Sequence, residues 1–316
     1  MKLQRILKAL VVTALILPFV RPLLAFPQQE PAFPGVPTKV VVSVEPRHGK
    51  EVPTVRAEDV VVSQGKQHDK VLAWQPVETP EIGVQLFIFI DDSLSATEIG
   101  TKLNDIRDFI NAQPANVLIG IGYMRNGTAV IAQNPTNDHA QAAKALRLTF
   151  GDGGSSPSPY FALQDLLKRW RQTNSAREVI MVTDGIDRFW DGFGLDDPYL
   201  NSVIDEAQRG GVVVNALYAR GGGHFGHSPF RINWGQSYLS ELADATGGEA
   251  YYLGNDTPPS FRPYFKDLTE RMSHQFLLTL EAQPGKKSGF ERIKLSTEVP
   301  NVELVTQRQV YVPTGS

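Results

Sequence analysis

The rhythm of apolar and polar positions changes twice along the chain. Between Thr38 and Thr79 it has a period of two and is rich in β-branched residues, in the runs Lys39–Val44, Asp59–Ser63 and Val71–Trp74. Gly49, Pro53 and Gly65 punctuate these runs, so they are predicted to be short antiparallel strands. The same rhythm returns at the other end, in Phe276–Leu280, Glu291–Ser296, Val302–Val305 and Gln309–Val312. About forty residues bury too little surface to fold alone. The two ends are therefore expected to join in one β-sandwich, with 38–80 as its first part and 275–316 as its second.

The segment 81–274 reads differently. Val84–Ile90 is almost continuously apolar, as expected of a strand buried on both faces of a sheet. Ile99, Leu103, Ile106 and Ile110 then follow the three-to-four spacing of an amphipathic helix over Thr97–Ala112. The alternation continues with predicted strands at Val117–Met124, Ala129–Ala132, Glu178–Thr183, Val212–Tyr218 and Ala250–Leu253. Helices are predicted at His139–Leu148, Tyr160–Arg171, Tyr199–Arg209, Tyr238–Thr246 and Phe261–Met272. Two of them run into Gly210-Gly211 and Gly247-Gly248, glycine pairs suited to helix ends. This order of elements predicts an α/β fold with a doubly wound, mostly parallel sheet, inserted in the sandwich.

The first 37 residues fit neither rhythm. Met1–Ala25 carries Lys2, Arg5, Lys8 and Arg21, no acid, and a mostly apolar run of about a dozen residues, the layout of an export signal rather than of a span, which needs ~20 apolar residues. Retention as an uncleaved anchor is the alternative. Residues 26–37 contain Pro27, Pro31, Pro34 and Pro37 and read as an extended linker. The whole chain of 316 residues has 31 basic and 34 acidic side chains and no cysteine. Loss of the signal's four bases would take the formal charge from -3 to -7, which argues against a nucleic-acid-coating protein. Without cysteine there are no disulfides, thiolate metal sites or lipid-anchoring thiol, so a metal would need oxygen or imidazole ligands.

Candidate chemistry gathers where predicted core strands end. In a doubly wound sheet, ligands bind beyond the carboxyl ends of the strands where strand order reverses. Val84–Ile90 runs into Asp91-Asp92-Ser93-Leu94-Ser95, placing a carboxylate and two hydroxyls at alternate positions of one loop. Glu178–Thr183 runs into Asp184-Gly185 at the same edge, and the hydroxyl-rich loop Gly151–Ser158 lies between them in sequence.

This combination of Asp91-x-Ser93-x-Ser95, a Gly-Gly hydroxyl loop and Thr183-Asp184-Gly185 resembles a von Willebrand factor type A (VWA) domain with its metal-ion-dependent adhesion site. The likeness spans about Val84 to Ser273. The flanking β segments resemble the VWFA-related proteins of acidobacterial genomes. The resemblance implies that Asp91, Ser93, Ser95 and Asp184 hold Mg2+, or Mn2+ or Ca2+, with a middle-loop threonine. Here that position falls near Pro157, leaving Ser155, Ser156 and Ser158 as candidates, of which Ser156 and Ser158 are the expected ligands. Magnesium prefers about six oxygens and keeps several waters, one of which an acidic partner side chain can replace.

Two Gly-rich segments, 188–198 and 220–234, follow strand ends and carry Trp190, Phe193, His224, Phe225 and Trp234. They suit a protein-recognition surface around the metal, or aromatics folded back on the domain. His224 and His227 lack a third zinc ligand at recognisable spacing, and Asp92 and Asp187 read as solvated loop acids, with support of the metal ligands from behind as the alternative. The expectation is an exported, non-enzymatic module that binds an acidic residue of a protein partner through a divalent ion, with no nucleic acid and no retained membrane span. The alternatives are a phosphoryl-transfer enzyme using Asp91, Asp92 and Asp184, or a structural scaffold without metal.

Overall fold

The computed structural model of the protein describes residues 35–152, 154, 158–190, 197–223, 225–285 and 287–314. The signal expected at 1–25 and all but the end of the 26–37 linker lie outside the described residues. In chain order the elements are β1 (Val36–Pro46), β2 (Val60–Gln64), β3 (Gln67–Pro76), β4 (Val84–Asp91), α1 (Ala96–Gly100), α2 (Leu103–Ala112), β5 (Val117–Arg125) and β6 (Thr128–Thr136). They continue with α3 (His139–Lys144), α4 (Pro159–Arg169), β7 (Ala176–Thr183), α5 (Pro198–Gly210), β8 (Val212–Tyr218), α6 (Pro229–Thr246) and β9 (Ala250–Tyr251). The chain closes with α7 (Arg262–Ser273), β10 (Gln275–Ala282), β11 (Gly289–Thr297), β12 (Val302–Thr306) and β13 (Gln309–Val312).

The middle of the chain forms a six-stranded sheet in the order β6-β5-β4-β7-β8-β9. All its pairs are parallel except β5–β6 at one edge. The apolar run of β4 is buried on both faces, as its composition requires. Leu86, Ile88 and Ile90 pack with Ile106 and Ile110 of α2 and Phe265 and Leu268 of α7. Phe87 and Phe89, pointing the other way, pack with Leu163 and Leu166 of α4 and Leu200 and Val203 of α5. The chain winds from β4 outward to β5 and β6, then returns to β7 on the other side of β4. The reversal of strand order thus falls between β4 and β7, the position at whose carboxyl edge sheets of this kind bind ligands.

The two chain ends do assemble together, but as one antiparallel sheet and not as the expected two-sheet sandwich. Its order is β12-β1-β10-β3-β2-β11-β13. The sheet curls into a half-barrel around a core of its own that includes Val40, Val42, Val44, Leu278, Leu280 and Val310. Curling buries one face without a second sheet. The alternate side chains of the same strands, Val41 and Leu277, enter the α/β core with Val77 and Met272. Central strands of the curled sheet are thus apolar on both faces, and period two fades there into the continuous runs Val40–Val42 and Phe276–Leu278.

Two differences from the sequence expectation have a plain physical reason. The predicted helix 97–112 is broken into α1 and α2 around Thr101 and Lys102, because Lys102 turns inward and its ammonium donates to the Pro259 carbonyl at 3.0 Å and to Thr101 Oγ1 at 2.7 Å. Helix α6 starts at Pro229 rather than Tyr238, with proline in the first turn, where its missing N–H costs nothing. Trp234 consequently stands on a helix and not in a loop.

Candidate functional site

Strand β4 delivers Asp91 and Asp92 to opposite sides of the carboxyl edge. Asp91 is buried; its Oδ1 accepts the Ser93 N–H at 2.8 Å and its Oδ2 accepts the Thr183 hydroxyl at 2.8 Å. The hydroxyl binds the end of β7 to the end of β4 across the switch point. Ser93 Oγ is buried beside this carboxyl, near enough to favour its charged form, but it makes no well-formed hydrogen bond to any described residue. Ser95 is half-buried and serves as N-cap of α1, accepting the Glu98 N–H at 3.4 Å. The loop is held from outside by backbone: Ser95 N–H donates to the Arg220 carbonyl and Gly222 N–H to the Ser93 carbonyl.

Asp184 follows β7 directly and is fully buried. Its Oδ1 accepts the Ile186 N–H at 3.0 Å, and both oxygens are gripped by Arg188, at 3.2 Å from Nη1 and 2.5 Å from Nη2. The Arg188 side chain is itself only 9% exposed. Burial pushes the Asp91 pKa up and the Asp184 charge pushes it further, while Arg188 opposes both. Burial works against the Arg188 charge too, but the surrounding Asp184, Asp91 and Asp187 outweigh it and keep the guanidinium protonated.

Neither Asp92 nor Asp187 is the solvated loop acid the sequence suggested. Asp92 has no exposed surface and is held by both nitrogens of Arg147, at 2.7 and 2.8 Å. Asp187 accepts the Phe189 and Trp190 N–H groups at 2.8 and 3.2 Å and the Ser158 hydroxyl at 2.8 Å. Ser158 also caps α4 by accepting the Phe161 N–H. Its hydroxyl is thus committed to a brace between the middle loop and the β7–α5 loop. Ser156, Phe193 and His224 lie outside the described residues, as does the Phe225 side chain. Trp190 and Trp234 line one narrow cleft with Asp187, Phe230 and Tyr238. Trp234 meets Phe230 at 5.7 Å between ring centres, and Trp190 meets Tyr199 at 6.0 Å. Both tryptophans are partly folded back, whereas Phe189 and Phe230 are 52% and 53% exposed beside them. The larger clefts, of about 510 and 330 Å³, lie away from the site around Gln85 and Trp170 and around Lys39 and Arg177, with no cluster of carboxylates lining either.

The donor set suits a hard cation in part. Asp91 and Ser93 Oγ supply oxygens of the kind magnesium prefers, and Ser95 Oγ is tied only to a long cap. Asp184 fits less simply, because Arg188 already neutralises it. Sequence reasoning passed over Arg188 and the Thr183 hydroxyl. The signal for Arg188 was its position four residues after Asp184, which marks a pairing only where the chain is helical; here the segment is a loop. Gly221 is the second omission. A Cβ there would fall 2.0 Å from Asp184 Oδ2 and 2.5 Å from Arg188 Nη2, so glycine is what lets the 220s loop lie against the ion pair. Gly221→Ala is expected to lower stability by about 1–3 kcal/mol, read by urea denaturation, through overpacking.

The order of strands, the single antiparallel edge and the Asp91-x-Ser93-x-Ser95 loop at the switch point together decide the likeness. The α/β unit is similar to von Willebrand factor type A domains. Among solved structures, an aerotolerance-related membrane protein from Bacteroides fragilis is 16% identical, with a TM-score of 0.43 over 60% of this chain and 98% of that one. The ArnB paralog VWA2 from Sulfolobus acidocaldarius is 15% identical, with a TM-score of 0.40 over 89% of this chain and 73% of that one. The SpRpn10 VWA domain is 10% identical, with a TM-score of 0.38 over 59% of this chain and 95% of that one. These likenesses concern the path of the chain and carry no functional correspondence. No family model and no curated protein matches the chain.

Proposed function

We propose that the protein is an exported, non-enzymatic binding module whose carboxyl-edge face captures an acidic residue of a protein partner through a divalent cation. The observation that carries this reading is the buried Ser93 hydroxyl, which lies beside the Asp91 carboxyl at the switch point without a well-formed hydrogen bond to any described residue. An unsatisfied buried polar atom costs roughly 1–3 kcal/mol, and a ligand that engages it recovers that cost. Asp91, Ser93 and Ser95, with Asp184, would hold the ion, and magnesium is the ion such hydroxyl and carboxylate oxygens suit. Bound there, it supplies a positive charge to which a partner's carboxylate can attach.

The rest of the face supports recognition. Phe189 and Phe230 are exposed around the Trp190 and Trp234 cleft, and aromatic side chains dominate binding hot spots. The phosphoryl-transfer alternative is weaker on geometry. Asp92 is taken by Arg147 and Asp184 by Arg188, so the three acids do not form one open carboxylate cluster. Export, the expected fate of a basic-apolar leader, belongs to this proposal and rests on the sequence of residues 1–25.

Calorimetric melting tests the metal reading. Magnesium at one hundred times its Kd should stabilise the wild type by about 2.7 kcal/mol, and Asp91→Ala should remove that response while remaining folded by circular dichroism. A wild type that melts at the same temperature in magnesium and in chelator would sink the proposal.

A further inference from the structure

We infer that Arg188 is the resident cation of the carboxyl-edge site, and that a divalent ion gains access to Asp184 only by displacing its guanidinium. The inference rests on the metal reading above and adds to it the residue that sets how strongly metal binds.

The argument begins with charge. Asp91 and Asp184 are both buried at the ends of adjacent strands, and the Asp184 charge raises the cost of ionising Asp91. Two carboxylates buried side by side need a counter-charge. Arg188 supplies it through two hydrogen bonds to Asp184, with a third from Nη1 to the Ile186 carbonyl at 3.3 Å. Paired, planar contact of this sort is the geometry in which arginine holds a carboxylate best.

The pair is also enclosed. Gly221 lies against both Asp184 Oδ2 and Arg188 Nη2, closer than any side chain would allow. The Gly222 N–H holds the neighbouring turn to the Ser93 carbonyl, so the cover and the Asp91 loop are one assembly. The guanidinium therefore already offsets the Asp184 charge before any metal arrives. A divalent ion entering beside an undisplaced guanidinium would meet like-charge repulsion in a low-dielectric setting, where it is weakly screened.

Displacement is physically available to Arg188 in a way that it is not to a core arginine. The residue sits on a non-helical segment joined to Asp184 by three residues, and the next residue, Phe189, is half exposed. Rotation of this one long side chain past the Gly221 cover, without strand rearrangement, releases its bonds to both Asp184 oxygens and leaves only the Ile186 N–H on Oδ1. Asp91 and Ser93 need no such movement, because neither is bonded to a cation in the structure. Arg188 thus distinguishes this crevice from one that is open to metal at all times.

The experiment is isothermal titration of magnesium into full-length wild type, Arg188→Gln and Arg188→Lys, with melting temperature measured alongside in magnesium and in chelator. Arg188→Gln keeps a hydrogen-bond donor for Asp184 but removes the charge. It is expected to bind magnesium at least tenfold tighter than wild type, to melt lower in chelator, and to recover on adding metal. Arg188→Lys, which retains the charge as a single point, should fall between the two, and it keeps the test alive should the glutamine variant not fold. Equal magnesium affinity in wild type and in the folded variants would overturn the inference while leaving the metal reading intact. Absence of binding in all three proteins would overturn both.

Discussion

Arg147→Ala is expected to destabilise the protein by about 3–5 kcal/mol, the cost of leaving a buried carboxylate without its partner. The carboxylate is Asp92, which has no exposed side-chain surface, whereas Arg147 is 35% exposed. The pair is therefore asymmetric. Asp92→Ala leaves a guanidinium that can turn to water, so its cost should be the smaller of the two. Arg125 approaches Asp92 no nearer than 3.9 Å and cannot replace two contacts below 2.9 Å. The Arg147 guanidinium also lies 3.7 Å from the centre of the Tyr123 ring and 4.4 Å from that of Phe150, and the Arg147 backbone N–H donates to the Tyr123 hydroxyl at 2.7 Å. Urea denaturation of the two single variants and the double variant measures the asymmetry; a larger loss for Asp92→Ala would contradict it.

The second large effect depends on pH and lies at the opposite end of β7. Glu178 is fully buried, and burial pushes its pKa from 4.5 up to about 7, with hydrogen bonds from Gln275 and Asn215 and the charge of Arg271 only partly opposing this. Its Oε2 accepts from Asn215 at 3.2 Å, while Oε1 has no well-formed hydrogen bond among the described residues. A proton on Glu178 removes the charge that burial penalises. Below pH 4.5 folded and unfolded chains both carry that proton and the group is neutral in its effect. Between 4.5 and about 7 only the folded chain retains it, so stability falls as pH rises through this window and is level above it. The loss amounts to about 3 kcal/mol. Glu178→Gln preserves the shape and offers a permanent donor. It should therefore gain on wild type by a similar amount at pH 8 and by little at pH 4.5, measured by denaturation at both. A difference independent of pH would show that Glu178 is ionised throughout.

Much of the architecture was legible because burial leaves a direct trace in composition. The apolar runs of β4, β7 and β8 could not be anything but strands covered on two faces, and their alternation with helices dictated a parallel sheet. The curled sheet was harder to read. Its strands β1 and β10 face a private core with Val40 and Leu278 and the α/β core with Val41 and Leu277, and a sequence cannot say whether a two-faced strand meets another sheet or a helical layer. At the site, Asp91, Ser93 and Asp184 could be placed at one edge from strand ends alone. What escaped was the company they keep. Arg188 and Arg147 reach their acids through loop geometry, 4 and 55 residues away in sequence, and no periodicity encodes that. Asp92 seemed a solvent acid because it stands in a loop, yet the pleat that turns Asp91 inward turns Asp92 toward Arg147.

Residues 77–274 leave and rejoin the antiparallel sheet through β3 and β10, which are hydrogen-bonded neighbours, with Pro76 opposite Phe276. In topology the α/β unit is thus a cassette: a chain could acquire it at a hairpin between those strands without re-pairing any of them. Energetically it is no longer one. Val41 and Leu277 of the host sheet pack into the core of the cassette, and its removal would bare an apolar face there. Acquisition and loss are therefore unequal steps, and the arrangement, once made, is entrenched by its own core.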